Sequence, residues 1–255
     1  MDTKTFVNQI AKFHKNYGVE FLKERIENRD AYLKTPKSAL FLILSYSFYQ
    51  GRRNEISSQF EERARKALSL FLKNNNILST SVSSRTTDKA RLQKRYKDLD
   101  KELKNNEVNK EGDRLMVMSL VNLTQFSHQK NILAFLIGKI RSKAISKAYK
   151  NLDETWSIGP KIASLILRDI VCIYELEKSL NKDDYCFLQP IDTWVHRLSK
   201  KIGLINKDKI YKDEGKDITH QCLAFGVNPI HYNQGAWYIG ARSLQILLRN
   251  IAVIK

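Results

Sequence analysis

The stretch Trp156–Leu204 decides how the chain is interpreted: residues 156–163 read Trp-Ser-Ile-Gly-Pro-Lys-Ile-Ala, and residues 190–197 read Pro-Ile-Asp-Thr-Trp-Val-His-Arg. Between these two ends, apolar residues recur mainly at the spacing of one helix face. Gly159 allows backbone conformations that a residue with a Cβ avoids, and Pro160 suits the first position of a helix. The pattern predicts two helices joined by a glycine turn, and a further helix that begins after Asp192.

The start of the helix after Gly159 is a candidate phosphate site. The first backbone N–H groups of a helix have no partner within it, and such groups bind anions. Lys161 follows directly and adds a positive charge. An ordinary helix corner with a solvated lysine explains the same residues, and Asp192 is explained equally well as a helix N-cap. On these residues alone, both interpretations stay open.

Taken together, residues 158–163 and 190–197 resemble the helix-hairpin-helix/Gly-Pro-Asp superfamily of DNA base-excision glycosylases. In this resemblance Lys161 matches the lysine nucleophile of the bifunctional members, and Asp192 matches the catalytic aspartate. The first glycine of the usual Gly-x-Gly is Ser157 here, so the tight turn is expected to depend on Gly159 alone.

Two departures bear on the branch of the family. The segment Leu167–Leu188 is longer than in the endonuclease III branch and is closer to the archaeal 8-oxoguanine glycosylase branch. The sequence as given stops at Lys255 without the four-cysteine loop that holds an iron–sulfur cluster in several branches, so we expect no cluster. The three cysteines, Cys172, Cys186 and Cys222, are too few and too scattered for a zinc site or a disulfide framework.

The resemblance implies an all-α fold of two helical lobes with the catalytic cleft between them, and a nucleotide that is flipped out of the duplex. Asp192 would stabilise the oxocarbenium-like transition state. Lys161, if partly desolvated, would attack the sugar C1′ and form a Schiff base, and β-elimination would then nick the strand. The damaged base is expected to be oxidised, with 8-oxoguanine as the first candidate.

Further site residues follow from the same resemblance. The predicted DNA-binding residues are Ser157, Ile158, Gly159, Pro160, Gln50, Arg52, Arg53 and Arg197. The predicted base-pocket residues are Trp194, Trp237 and Tyr238, although aromatic residues on apolar helices are more often core residues. His196 matches a family position only loosely, and a structural role is the simpler one.

The net charge of +17 indicates a polyanionic partner. We therefore expect a monomer that binds double-stranded DNA containing a damaged base, in the cytoplasm and without membrane association. We expect no metal and no organic cofactor. Family hairpins can hold a monovalent cation on their backbone carbonyls, and that option stays open here.

The predicted organisation is one lobe from residues 1–35 and 150–255 and a second lobe from residues 36–149. Residues 74–113 read as a charged surface insertion, in which the apolar stripe Leu92, Tyr96, Leu99 and Leu103 predicts one solvated helix that packs against the body, with a mobile tip near 105–112. The lysines and arginines of this segment offer an alternative role, contact with a DNA backbone. The remaining predicted helices are 38–49, 54–72, 114–123, 131–140, 145–149, 193–202, 218–225 and 229–254.

Two other functions account for part of the pattern. A non-catalytic helix-hairpin-helix module that only binds DNA explains the charge and the glycine turn. A monofunctional glycosylase for mismatched or alkylated bases would need Asp192 but not Lys161.

Overall fold

The computed structural model describes residues 2–49, 54–127, 130–205 and 214–253, and over these residues the prediction of an all-α chain is confirmed. The helices are α1 (Thr3–Ala11), α2 (His14–Tyr17), α3 (Lys23–Glu27), α4 (Arg29–Lys34), α5 (Pro36–Ser47), α6 (Asn54–Asn74), α7 (Lys89–Arg95), α8 (Lys97–Asn105), α9 (Glu111–Phe126), α10 (Ile132–Arg141), α11 (Ile145–Asp153), α12 (Pro160–Ile173), α13 (Thr193–Lys201), α14 (Glu214–Ala224) and α15 (Pro229–Val253). A π-helical turn, Gly18–Leu22, joins α2 to α3, and short 3₁₀ segments occur at Ile77–Ser79, Glu177–Ser179 and Lys182–Leu188. Within the described part of the chain, every helix is too short or too polar to cross a lipid bilayer.

The chain divides into two compact units, which we call the flanking unit (Met1–Glu27 and Leu167–Lys255) and the central unit (Asn28–Ile166). The sequence predicts boundaries at 35/36 and 149/150, so the glycine turn and Lys161 were expected in the unit that contains residues 150–255. In the structure they belong to the central unit. The physical reason is a set of bonds to the residues just before the turn: Trp156 Nε1 donates to the Thr87 carbonyl over 2.8 Å, and Arg85 donates to the Asn151 carbonyl over 2.6 Å.

Local signals set where several helices begin. Proline occupies the first position of α5, α12 and α15, where a missing N–H costs no helical hydrogen bond. The Thr35 hydroxyl accepts from the Ser38 amide over 3.0 Å, and the Asn131 side chain accepts from the Ala134 amide over 3.0 Å. Each cap satisfies an N–H that the helix leaves unpaired.

Helix α9 forms the centre of the central unit, because every residue from Asp113 to Gln125 is buried. Several polar side chains of this helix have partners in the rest of the central unit, although the buried Ser119 hydroxyl has none among the described residues. Tyr96 donates from its hydroxyl to Gln125 Oε1 over 2.5 Å, and Asn122 Nδ2 donates to the Tyr96 hydroxyl over 3.0 Å. The amide of Thr86 donates to Asn122 Oδ1 over 3.0 Å, which also ties the loop before α7 to α9.

The segment 74–113 differs from its prediction in having two helices instead of one, while the apolar stripe packs inward as expected and most other side chains of α7 and α8 are exposed. The segment forms two helices, α7 and α8, and its apolar stripe is fully buried in the central unit: Leu92, Tyr96, Leu99 and Leu103. The helix breaks at Tyr96, whose backbone leaves the helical region at φ −116° and ψ 34°. The expected mobile tip is held by Arg114, which donates to the Val108 and Asn109 carbonyls over 3.0 and 2.6 Å.

In the flanking unit, α15 crosses α1 and α13 so closely that two of its positions require glycine. A Cβ at Gly235 would lie 2.0 Å from the Ile10 carbonyl oxygen of α1. A Cβ at Gly240 would lie 2.3 Å from the Trp194 Cβ of α13. Around these crossings lies an apolar core made of Val7, Ile10, Ala11, Val195, Leu204, Ile205, Ile218, Cys222, Val227, Tyr232 and Ala236.

We predict that Gly235→Ala lowers the free energy of unfolding by about 2–3 kcal/mol, because the new methyl group overlaps main-chain atoms that have nowhere to move. Gly138 of α10 is the matched control, since a Cβ there meets nothing within 4 Å. Gly138→Ala should raise the free energy of unfolding by roughly 0.5–1 kcal/mol through helix propensity alone. Urea titration measures both, and equal effects of the two substitutions would contradict the close crossing.

A stacked pair of imidazole rings also belongs to the flanking unit. His14 and His231 lie with ring centroids 3.8 Å apart and planes 9° apart. The His14 Nδ1 lies 2.7 Å from the Ala11 carbonyl, so this nitrogen carries a proton that it donates. Burial, together with the neighbouring His14, lowers the pKa of His231 from 6.5 to about 4.

This shift gives a pH dependence with a defined sign. Below pH 6.5 His231 takes up a proton in the unfolded chain, whereas in the folded chain it does so only near pH 4. The free energy of unfolding therefore decreases as the pH falls from 6.5 to about 4. We predict that His231→Gln makes the fall in unfolding free energy between pH 6.5 and 4 shallower. His220→Gln, on the exposed surface of α14, should leave the slope unchanged in the same denaturation series.

Candidate functional site

The turn between α11 and α12 depends on Ser157 rather than on Gly159. Ser157 has φ +56°, in the left-handed region that residues with a Cβ seldom adopt. Gly159 lies outside that region, and a Cβ at its position would meet nothing within 4 Å. The expectation that Gly159 alone makes the tight turn is therefore wrong. The Ser157 hydroxyl donates to the Gly112 carbonyl over 3.2 Å, a bond that helps to hold the unusual conformation.

The start of α12 presents donors that the fold does not use. The amides of Ile162 and Ala163 both donate to the Gly159 carbonyl over 3.0 Å. The N–H groups of Gly159 and Lys161 donate to no backbone carbonyl among the described residues. The side chain of Lys161 is exposed, whereas Ile158 is buried and pins the turn to the central unit. This arrangement can offer two N–H groups and an ammonium to one anion.

Arg85 holds the end of α11 through hydrogen bonds to the residues that precede the turn. Its guanidinium donates to the Asn151 side chain over 2.9 Å and to the Thr155 hydroxyl over 3.2 Å, besides the Asn151 carbonyl. Burial lowers the pKa of Arg85, and the nearby Glu154 carboxylate opposes that effect. The residues that enter the turn are thus fixed before any ligand binds.

Asp192 caps α13 and still keeps one oxygen available. Its Oδ1 accepts from the Trp194 amide over 2.9 Å and from the Val195 amide over 2.8 Å. Its Oδ2 makes no hydrogen bond to another described residue, and the side chain is partly exposed. The structural role that the sequence allows for Asp192 is therefore present, and it occupies only half of the carboxylate.

A buried ionic network lies next to the loop that carries Asp192, and it has Arg168 of α12 at its centre. Arg168 is 1% exposed. Its guanidinium donates to Asp169 Oδ1 over 2.9 Å, to Asn233 Oδ1 over 2.7 Å, and to the Tyr17 hydroxyl. The Tyr17 hydroxyl also donates to Asp169 Oδ2 over 3.0 Å. Burial alone would lower the pKa of Arg168, but the charge of Asp169 outweighs it and raises this pKa.

The network reaches the main chain two residues before Asp192. Asn233 receives a hydrogen bond from Arg168, and its Nδ2 donates in turn to the Pro190 carbonyl over 3.3 Å. An amide side chain bonded at both ends has a fixed orientation, so Pro190 is held relative to α12 and α15. The position of Asp192 therefore depends on side chains buried well inside the flanking unit.

Helix α13 is fixed at two further points. His196 Nδ1 lies 2.7 Å from Glu214 Oε1, and Glu214 is fully buried. The Ser199 and Tyr232 hydroxyls lie 2.9 Å apart and link α13 to α15. His196 thus has a structural role, as its loose match to the family suggests. Arg197, on the same helix, is exposed, and its role in DNA binding stays a prediction.

The three predicted base-pocket aromatics differ in exposure. Trp194 is 44% exposed and lies over Gly240. Trp237 packs edge-on against Tyr17, with ring centroids 5.7 Å apart. Tyr238 is buried and packs with Phe13 at 6.4 Å. Trp237 and Tyr238 therefore have the packing of core residues, and Trp194 alone presents an open aromatic surface.

Three predicted DNA-binding residues, Gln50, Arg52 and Arg53, lie outside the described residues. The sequence analysis missed the network of Tyr17, Arg168, Asp169 and Asn233. A signal for it exists in the sequence, since Arg-Asp interrupts an otherwise apolar run, Leu-Ile-Leu-Arg-Asp-Ile-Val, in which charged side chains need partners.

Two of the three cysteines have thiol pKa values raised strongly by burial. Burial raises the pKa of Cys172 to about 12, and Asp169 adds to the effect. Burial likewise raises the pKa of Cys222 to about 12. Both thiols stay protonated near neutral pH and are poor nucleophiles. Among the described residues, no group of three or more His, Cys, Asp or Glu side chains is arranged to hold a metal ion.

Comparison of the chain with models of protein families, with curated proteins and with solved structures finds no match. The functional assignment therefore depends on the residues themselves and on their geometry.

We predict that Asp169→Asn lowers the free energy of unfolding by about 3–5 kcal/mol, because it leaves the Arg168 guanidinium buried without a countercharge. The double variant Arg168→Met/Asp169→Asn should lose less than the sum of the two single variants, since both charges are then absent. Chemical denaturation of the three variants gives the coupling. Strict additivity would contradict a buried ion pair.

Proposed function

We propose that the chain is a DNA glycosylase of base excision repair with the two-lobed fold of the helix-hairpin-helix/Gly-Pro-Asp superfamily. It removes a damaged base, 8-oxoguanine being the first candidate, and cleaves the strand through a Schiff base on Lys161. Two observations carry this proposal: Lys161 is exposed at a helix start whose first amides donate to no described backbone carbonyl, and the Asp192 Oδ2 accepts from no described residue.

The first step is binding of the sugar–phosphate backbone. The N–H groups of Gly159 and Lys161 grip a phosphate, and the rigid turn around Ser157 and Ile158 sets the register without reading the base sequence. The net charge of +17 attracts the duplex over a longer range. Arg197 adds an exposed cation on α13, the helix that Asp192 caps.

The second step is removal of the base. The damaged nucleotide leaves the stack, and Trp194 offers an exposed aromatic face near Asp192 for contact with it. As the bond between C1′ and the base nitrogen breaks, positive charge develops on the sugar. The negative charge of Asp192 stabilises this transition state, and its two bonds to the α13 amides fix the carboxylate in place.

The third step is strand cleavage. The neutral Lys161 amine bonds to the electron-poor C1′ that departure of the base creates, and the new C–N group loses one proton to solvent. Cleavage of the C1′–O4′ bond, with a proton taken up by O4′, then gives an iminium ion. Removal of a proton from C2′ then expels the 3′ phosphate by β-elimination. Because Lys161 is exposed in the free protein, the desolvation that favours a neutral amine has to come from DNA that covers it.

A DNA-binding module without catalysis is the second candidate, and one observation favours it. The two N-cap hydrogen bonds of Asp192 are a sufficient structural role. That candidate leaves the unbonded Oδ2 and the exposed Lys161 without a function.

We predict that borohydride traps a covalent complex between the protein and a duplex that contains 8-oxoguanine or an abasic site. Lys161→Gln should abolish trapping, because no other amine replaces the nucleophile. Lys178→Gln, an exposed lysine of the flanking unit, is the control and should trap as well as the wild type. Denaturing gels with labelled DNA report the complex.

The outcomes separate the alternatives. Base release without trapping by the wild type identifies a monofunctional glycosylase. Trapping that survives in Lys161→Gln assigns the Schiff base to a different amine. Duplex binding without base release from any lesion supports the non-catalytic module.

A further inference from the structure

The corner between α10 and α11 is strongly basic. From residue 139 to residue 150 the sequence reads Lys-Ile-Arg-Ser-Lys-Ala-Ile-Ser-Lys-Ala-Tyr-Lys, with five cations and no acidic residue. Its apolar members Ile140, Ile145 and Ala148 are buried in the central unit. The cations consequently lie on the outer surface, and Arg141, Lys143, Lys147 and Lys150 are all exposed.

The backbone aligns these cations into a stripe. Lys143 sits in the turn with φ +55°, and Lys147 and Lys150 follow four and seven residues later. Lys147 and Lys150 share one face of α11 because residues three apart are neighbours on a helix. We call Lys139, Lys143, Lys147 and Lys150 the lysine stripe. α11 then continues to the turn at Ser157, so the stripe and the free amides of Gly159 and Lys161 belong to one connected segment of the central unit.

A groove of about 300 Å³ runs beside the stripe, and it is lined by Phe126, Phe135, Lys139, Lys147, Lys150, Asn151 and Glu154. Phe126 is 39% exposed. The Lys139 ammonium lies 5.4 Å from the Phe135 ring centroid. The groove therefore combines three lysines and one carboxylate with apolar surface, and its positive excess suits the phosphates of a nucleic-acid backbone.

Most of these charges have no countercharge within the described residues. The side chains of Lys139, Arg141, Lys143 and Lys147 form no ion pair with a described acidic residue. Lys150 reaches Glu154 Oε1 at 3.7 Å, but Glu154 also binds Arg85 at 3.2 Å. Like charges three or four residues apart repel and destabilise a helix, so this arrangement is costly unless a polyanion binds there.

We propose that the lysine stripe and its groove bind the sugar–phosphate backbone of duplex DNA, as a second contact surface beyond the turn at Ser157–Lys161. The inference rests on the proposed function only for the identity of the polyanion, and it does not depend on base removal. Backbone contacts of this kind add affinity that is independent of sequence and falls steeply with salt.

The test is the affinity for an undamaged 20-base-pair duplex, measured by fluorescence anisotropy across a series of salt concentrations. The variant Lys139→Gln/Lys143→Gln/Lys147→Gln should bind roughly tenfold more weakly at moderate salt. Its slope of log affinity against log salt should become shallower by about 0.9 for each lost phosphate contact. The single variant Lys147→Glu gives a second, smaller change to the same surface.

The matched control is Lys94→Gln/Lys97→Gln/Lys101→Gln on α7 and α8, which removes the same charge from exposed lysines of the same unit. It should keep the wild-type slope and most of the affinity. Equal losses in both triple variants would overturn the proposal, because net charge alone would then explain binding. Preference of the wild type for duplex RNA or for anionic phosphatidylserine vesicles, lost in the stripe variants, would overturn the assignment to DNA. Normal duplex binding without base release would overturn the proposed enzyme and leave this surface standing.

Discussion

A guanidinium that is cut off from water has to be surrounded by acceptors, and Arg168 imposes that requirement on the flanking unit. Its acceptors come from three separated parts of the sequence: Tyr17, the adjacent Asp169, and Asn233. Removing two charges from water is expensive, so such a pair stabilises a fold less than apolar residues of the same volume would. What it provides is a defined geometry. Asn233 accepts a hydrogen bond from Arg168 and donates one to the Pro190 carbonyl, and these two bonds fix the loop that ends at Asp192.

In the central unit, the main structural feature of the candidate site is the fixed turn around Ser157. The turn around Ser157 is held by the buried Ile158 side chain and by the hydrogen bonds of the Trp156 indole and the Arg85 guanidinium. The amides of Gly159 and Lys161 donate to no backbone carbonyl among the described residues. A preformed set of donors loses little entropy when an anion binds. The lysine stripe extends this surface along α11. In the proposed function, these amides and the lysine stripe contact the DNA backbone.

The sequence was most informative where a few neighbouring residues decide the structure. Pro160, Pro229 and Asp192 mark helix starts in the chain itself, and α12, α15 and α13 begin at them. It was least informative where distant residues decide. The apolar stripe from Leu92 to Leu103 is continuous and predicts its own burial, but the break of the helix at Tyr96, whose hydroxyl bonds to Gln125 and Asn122 of α9, appears in no local pattern. The unit boundary near residue 166 likewise depends on contacts such as that of Trp156 with Thr87. The position of the left-handed residue was misjudged, because glycine is the residue that such a turn usually requires and serine occupies position 157.

The most direct measurement of the enzymatic assignment is single-turnover release of 8-oxoguanine from a duplex by the wild type and by Asp192→Asn. Asparagine caps helices about as well as aspartate, so this substitution removes the charge while keeping the start of α13. The account predicts that duplex affinity stays within a few-fold while base release falls by roughly 100-fold or more. Equal release by both proteins, or release of no oxidised base by the wild type, would contradict it.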